Sequence, residues 1–336
     1  MSRFKINYFH LMKYLPFFLF FLAIIAYLKP SSPEDFASSI TSKELKELLY
    51  VYASDYFAGR DTGEEGQKIA VDFLKSYYKI HGIAPAKNTE DYFQKMTLKI
   101  KGKNVQTENV VAIIPGSELP EEYIVISAHL DHVGVHDGEI YNGADDDGSG
   151  TVAILEIAEA FQNAVAKGEG PKRSIVFLHV TGEEKGLLGS KYYADNPLYP
   201  LEDTVANLNI DMIGRLDPKR IDKDPNYIYL IGADKLSQEL HDISEAANTE
   251  YTQLKLDYKF NEDDDPNRFY YRSDHYNFAK NNIPVIFYFN GTHDDYHGPG
   301  DTPDKIEYDL LAKRTKLIFY TAWQLANQKE RIKLNK

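Results

Sequence analysis

The amino-acid sequence predicts an α/β fold, a mostly parallel sheet with helices on both faces. Three observations point to it. Apolar runs of strand length, without alternation, recur at 123–127, 174–180, 205–210, 227–231 and 284–289, as expected of strands covered on both sides. Segments with helical spacing separate many of them. That alternation of strand and helix is the signature of parallel, right-handed crossover connections.

The chain has 336 residues, 43% hydrophobic and 26% charged, with no cysteine. This suits a globular protein with a sizeable core that relies on packing rather than disulfides. The formal net charge of -13 argues against nucleic acid as a partner, because neutralising phosphates needs Lys and Arg. Arg3, Lys5 and Lys13 precede an apolar run over 14–28, which reads as an export signal or as an uncleaved anchor attaching the chain to a membrane. The expectation is therefore a signal or anchor over 1–28, a linker over 29–40, and a single domain over 41–330 in the periplasmic or extracellular space. The sequence is silent on oligomeric state.

Thr41 or Ser42 caps a first helix running to about Tyr52, with Glu44 near the capping-box position. A second helix is predicted over 63–81, with apolar Ile69, Ala70, Phe73, Leu74 and Tyr77 on one stripe. Strands follow at 93–100 and 109–114. In the βαβ region, helices are predicted at 151–161, 186–194 and 236–247, and a short one at 273–280 capped by Ser273. A long closing helix spans 308–328.

The chemistry-bearing residues fall at the ends of the buried strands, where open α/β sheets build their sites. His129 and Asp131 follow the first, Glu183 and Glu184 the second, and Asp211 ends the third; His297 lies in the loop after the last. Two histidines and three carboxylates suit a pair of zinc ions, leaving one acid free to act on a water. Asp131, two residues past His129, is placed to receive the second ring N–H. Asp146, between glycines, suits a bridge between two cations, whereas Asp147 or Ser149 serves the following helix N-terminus. Tyr296 offers a hydroxyl to a developing oxyanion. The bland readings are a solvated acidic turn at 183–184, ion pairing of Asp211 with Arg215, and capping at 272–275. His132 and His136 read as loop residues rather than ligands.

Taken in order, H-x-D, G-A-D-D-D-G-S-G, G-E-E-x-G-L-x-G-S, N-x-D-M-I-G and Y-H-x-P-x-D-T-x-D-K-I resemble the M28 family of zinc peptidases, of the bacterial exported aminopeptidase type. The resemblance spans about 53–326. It implies a three-layer α/β/α sandwich with a mixed, mostly parallel, eight-stranded central sheet and two Zn2+ ions per chain. It further implies that Asp146 bridges the metals, that His129 and Asp211 complete one, and that Glu184 and His297 complete the other. Glu183 is then the general base, Asp131 orients His129, Tyr296 polarises the scissile carbonyl, and the substrates are peptides with a free N-terminus. Two rivals stand beside it: a single-zinc glutaminyl cyclase-like enzyme, and a non-catalytic binding ectodomain.

Overall fold

The computed structural model describes residues 31–336 apart from 90 and 221. The apolar 14–28 run, read as signal or anchor, lies outside the described residues. Within them no helix is long and apolar enough to cross a membrane.

The chain begins with α1 (Pro33–Ala37), α2 (Ser42–Tyr52) and α3 (Glu65–Ile80). Part of the segment expected to be a linker is thus helical. Its Phe36 is buried against the Trp323 ring at 5.3 Å, because an aromatic side chain recovers more by packing than by solvation. Thr41 caps α2 as predicted, accepting from the Glu44 N–H at 3.1 Å and donating to its carboxylate.

Next come β1 (Ala84–Pro85), β2 (Phe93–Ile100), β3 (Lys103–Ile114) and β4 (Leu119–His129). A small ribbon of β5 (Gly134–His136) and β6 (Glu139–Tyr141) leads to α4 (Gly150–Ala166). The remainder is β7 (Arg173–Val180), α5 (Leu188–Asp195), β8 (Thr204–Ile210), β9 (Tyr227–Ile231), α6 (Gln238–Ala247), β10 (Lys255–Asp257), α7 (His275–Ala279), β11 (Val285–Phe289) and α8 (Tyr308–Asn327).

The sheet runs β1-β3-β7-β4-β8-β11-β9-β10, with β2 paired to β3, making nine strands rather than eight. The centre, β7-β4-β8-β11, is parallel throughout. The antiparallel pairings lie on its flanks, where β3 meets β7 and β9 meets β11.

Burial follows the two-residue period of each strand. Ile124, Ile126, Ile175 and Phe177 face a core shared with α2, α3, α4 and α8. Val125, Val176, Leu178 and Val180 face a second core with Tyr193 of α5 and Phe278 of α7. Both faces are therefore covered, which is why these strands read as unbroken apolar runs. A third, aromatic cluster of Met212, Tyr229, Phe260, Phe269, Phe287 and Phe289 closes one end.

Candidate metal centre

The parallel strands β4, β7, β8 and β11 all end at one rim. His129 is the last residue of β4, Asp211 directly follows β8, and Glu183 and Glu184 follow β7 after one turn. At Gly189 an added Cβ would lie 2.1 Å from the Thr181 carbonyl oxygen. Only glycine lets α5 start so close to the strand end.

The run 145–147 divides its labour. The Asp147 carboxylate accepts from the N–H groups of His129, Gly150 and Met212 at 3.2, 2.9 and 3.2 Å, tying two strand ends to the start of α4. Asp145 accepts from the Gly214 N–H at 2.6 Å and lies 3.2 Å from His293 Nε2. Asp301 holds the backbone from the other side, accepting from the N–H groups of Asp145 and Asp146. Asp146 alone keeps its side chain for the site; the peptide bond after it is cis.

Around Asp146 the predicted ligands converge. Its Oδ1 lies 3.1 Å from His129 Nε2, and its Oδ2 lies 3.1 Å from His297 Nε2. His129 Nε2 is 3.6 Å from Asp211 Oδ1, and His297 Nε2 is 3.2 Å from Glu184 Oε2. Two donors on one tetrahedral zinc, each about 2.0–2.1 Å from it, sit roughly 3.3 Å apart. The observed spacings match that edge length. His129 Nε2, Asp146 Oδ2 and Glu184 Oε1 are buried with no hydrogen-bond partner. Among the described residues no Lys or Arg pairs with Asp146, Glu183, Glu184 or Asp211. Buried carboxylates without a basic partner call for another positive charge, and divalent cations fit both the donors and the deficit.

Arg215 is not the partner of Asp211. It pairs with Asp295 at 2.8 Å. Asp211 Oδ2 instead accepts from the Ser273 hydroxyl at 2.6 Å, which accepts from Asn209 Nδ2 at 2.8 Å; Asn209 Oδ1 accepts from Ser127 at 2.7 Å. Ser273 is therefore spent on Asp211 and makes no cap for α7. Asp131 also differs from expectation. His129 Nδ1 meets the Asp131 main-chain oxygen at 3.0 Å, while the carboxylate accepts from Thr62 at 2.8 Å and from the Glu183 N–H at 3.2 Å. The residue still fixes the His129 ring, but through its backbone. Its side chain positions the loop that carries Glu183.

Glu183 faces the centre without a basic partner. Burial pushes its carboxyl well above the usual range, with Asp211, Asp274 and Glu184 adding to the effect and His129 opposing it. Burial likewise raises the Asp274 carboxyl to about 7. Tyr296 stacks on the His297 ring with centroids 4.0 Å apart, and burial raises its hydroxyl pKa.

Tyr296, Glu183, Asp146 and Asp211 line one pocket together with Met212, Phe269, Phe287, Phe289, Arg272 and Thr292. A wider cleft lined by Asp234, Lys235, His241 and Tyr258 contains none of these groups.

The sequence reading missed three contributors. Arg60, fully buried, donates to the carbonyl oxygens of Leu130, Asn142 and Gly143. Thr62 holds Asp131. His132, expected to be a loop residue rather than a ligand, does lie in the loop after β4 but is fully buried, with Nδ1 2.9 Å from Glu184 Oε1. It stands three residues past His129, beyond Leu130 and Asp131, and that spacing was the available signal.

The model of peptidase family M28 matches residues 109–322. A probable leucine aminopeptidase of Arthroderma otae is 30% identical over 299 residues, covering 84% of this chain and 76% of the relative. The aminopeptidase of Aneurinibacillus sp. strain AM-1 superposes with a TM-score of 0.67 at 16% identity, over 89% of this chain and 97% of that one. The glutaminyl cyclase of Porphyromonas gingivalis gives 0.66 at 19% identity, over 84% and 97%. At such identities these two likenesses speak for the shared fold.

Proposed function

This chain belongs to peptidase family M28 and is a zinc-dependent aminopeptidase, and from that premise we propose that it works with two zinc ions, Glu183 as general base, on peptides with a free and preferably apolar N-terminal residue. The observation that carries this reading is the position of Asp146. One of its oxygens faces His129 and the other faces His297, so a single carboxylate serves two donor groups at once. A one-metal cyclase would need only one of those groups.

His129, Asp146 and Asp211 would hold one ion, and Glu184, His297 and Asp146 the other. When bound, the ions supply Lewis acidity, lowering the pKa of a water and polarising the scissile carbonyl. Glu183 takes the proton of the attacking water and passes it to the leaving amine. A carboxyl whose proton affinity is raised by burial suits both halves of that transfer. The Tyr296 hydroxyl, beside His297, donates to the oxygen that becomes negative. Met212, Phe269, Phe287 and Phe289 give the pocket beside these groups an apolar lining, where the side chain of the residue to be released would lie. An apolar lining of this kind favours an apolar group over a charged one. The basic start and apolar run over 1–28 support export of the enzyme, with cleavage or anchoring of that segment as its two forms.

The test is a panel of aminoacyl-nitroanilides and of peptides beginning with glutamine, assayed alongside elemental analysis. Release of the N-terminal residue, fastest for Leu, Phe or Met, with two zinc ions per chain, is expected. Cyclisation of N-terminal glutamine with one ion would replace this reading by the cyclase one. No turnover of any member would leave a binding protein.

A further inference from the structure

We propose that His132 is a fourth protein ligand of the second metal position, so that the two positions differ in kind: one closed by protein donors, the other open to water. The inference rests on the two-ion reading above.

His132 lies in the loop after β4, and its ring is fully buried with neither nitrogen hydrogen-bonded. Its Nδ1 has the Glu184 carboxylate beside it and its Nε2 has no partner, so burying the ring is costly unless something more repays it. The ring does not drift there by default. Gly143, at φ +53, presents no side chain, and a Cβ on it would stand 2.5 Å from His132 Cγ. The His132 N–H donates to the Arg60 carbonyl at 3.3 Å, and the Arg60 guanidinium holds the Leu130 and Gly143 carbonyls on either side. The backbone is thus fixed so that the imidazole enters the centre.

Its Nδ1 stands 2.9 Å from Glu184 Oε1 and 3.8 Å from Asp146 Oδ2. His297 Nε2 approaches the same two residues at 3.2 and 3.1 Å. The rings face each other across these carboxylates, with centroids 5.8 Å apart and planes at 70°. Three of these four spacings lie near the roughly 3.3 Å edge of a tetrahedral zinc site and the fourth is longer, and His132, Asp146 and Glu184 by themselves bring one donor atom each within 4.8 Å of one another. The other position has its own trio of His129, Asp146 and Asp211; the contacts of His297 to Asp146 and Glu184 are what the first has in addition. Four protein donors are the mark of closed zinc sites, while three leave a place for water or substrate. The geometry assigns the open place to the ion at His129 and Asp211, on the side of the pocket that holds Glu183.

The experiment is zinc binding by competition with a chromophoric chelator, together with the absorption spectrum of the cobalt(II) form, on the whole chain and on His132→Ala, His132→Phe and Asp211→Asn. Phe keeps the ring volume in case Ala does not fold. Loss of a residue that only supports a ligand lowers metal affinity by about 10–100-fold. A lost ligand should exceed that at one position and leave the other unchanged. The expected result is therefore a fall of more than about 100-fold for one of two ions in both His132 variants, with a changed cobalt spectrum. Asp211→Asn should weaken the other ion and keep the closed-site spectrum. Two ions bound at unaltered affinity and an unaltered spectrum in His132→Phe would overturn the assignment, as would a weakened ion whose cobalt spectrum stays the same. A parent chain that takes up only one zinc would overturn the two-ion reading itself.

Discussion

The Arg60 guanidinium donates to the carbonyl oxygens of Asn142 and Gly143 at 2.6 and 2.9 Å, and to those of Leu130 and Tyr52 at 3.1 and 3.3 Å, with no carboxylate as partner among the described residues. One cation thus clamps the two loops that deliver His129 and Asp146, and its plane lies over the Tyr52 ring at 4.7 Å. Removing it leaves several buried carbonyls unpaired. Hydrogen bonds to charged groups are worth about 1.5–3 kcal/mol each and add imperfectly. Arg60→Met should therefore cost at least about 3 kcal/mol in urea unfolding of the zinc-loaded protein. Arg60→Lys should recover little, since an ammonium cannot span the fork. A Met variant within about 1 kcal/mol of the parent would show that the clamp is dispensable.

Ser273 makes a second prediction. Its hydroxyl occupies Asp211 Oδ2, leaving Oδ1 to face His129 Nε2. Without it, Asp211 is free to rotate and Asn209 Nδ2 loses its acceptor. Ser273→Ala should lower zinc affinity at the His129 position by about 10–100-fold with the fold intact. Chelator competition reads the change directly. Unaltered affinity would mean that packing alone holds Asp211.

Glu183 is separable from the proposed metal ligands. Its neighbour Glu184 is within 3.2 Å of two histidines, whereas Glu183 has no such contact among the described residues. Glu183→Gln keeps size and burial but cannot take a proton. Peptide turnover should fall by about 10²–10⁴-fold while zinc content stays at the parent value. Loss of zinc in that variant would mean that Glu183 ligates and that the base lies elsewhere.

The difference between what the sequence disclosed and what it hid follows from range. His129, Glu184 and Asp211 each follow an apolar strand within a few residues, and Asp146 and His297 stand beside glycines. Those local cues placed His129, Asp146, Glu184, Asp211 and His297 at one rim before any coordinates. The parallel sheet was legible for the same reason, since double-sided burial is written into each strand. What stayed hidden acts across the chain. Arg60 meets carbonyls 70 to 83 residues on, and Ser273 reaches back 62 residues to Asp211. Asp301 reaches 156 residues to the Asp145 N–H. Nothing near Arg60 distinguishes it from a surface arginine. Ser273 looked like a cap because the start of a helix is where serine usually serves. The local rule lost there to a carboxylate whose free oxygen needed a donor.

Glu156, on α4 and away from the centre, gives a prediction about pH. The residue is 2% exposed. Burial raises its carboxyl from the ordinary 4.5 to about 8, with Glu44 and Glu159 adding to the rise and the Thr41 N–H opposing it. Between those two pH values the folded chain holds a proton that the unfolded chain has released. Stability contributed by this group is therefore present below pH 4.5 and is lost as pH rises towards 8. Glu156→Gln keeps the acceptor for Thr41 and never ionises. It should be close to neutral at pH 5 and stabilising at pH 8 by about 1–3 kcal/mol. Urea unfolding at the two pH values measures the difference. An equal effect at both would mean that the carboxyl finds water or a cation in solution and ionises without strain.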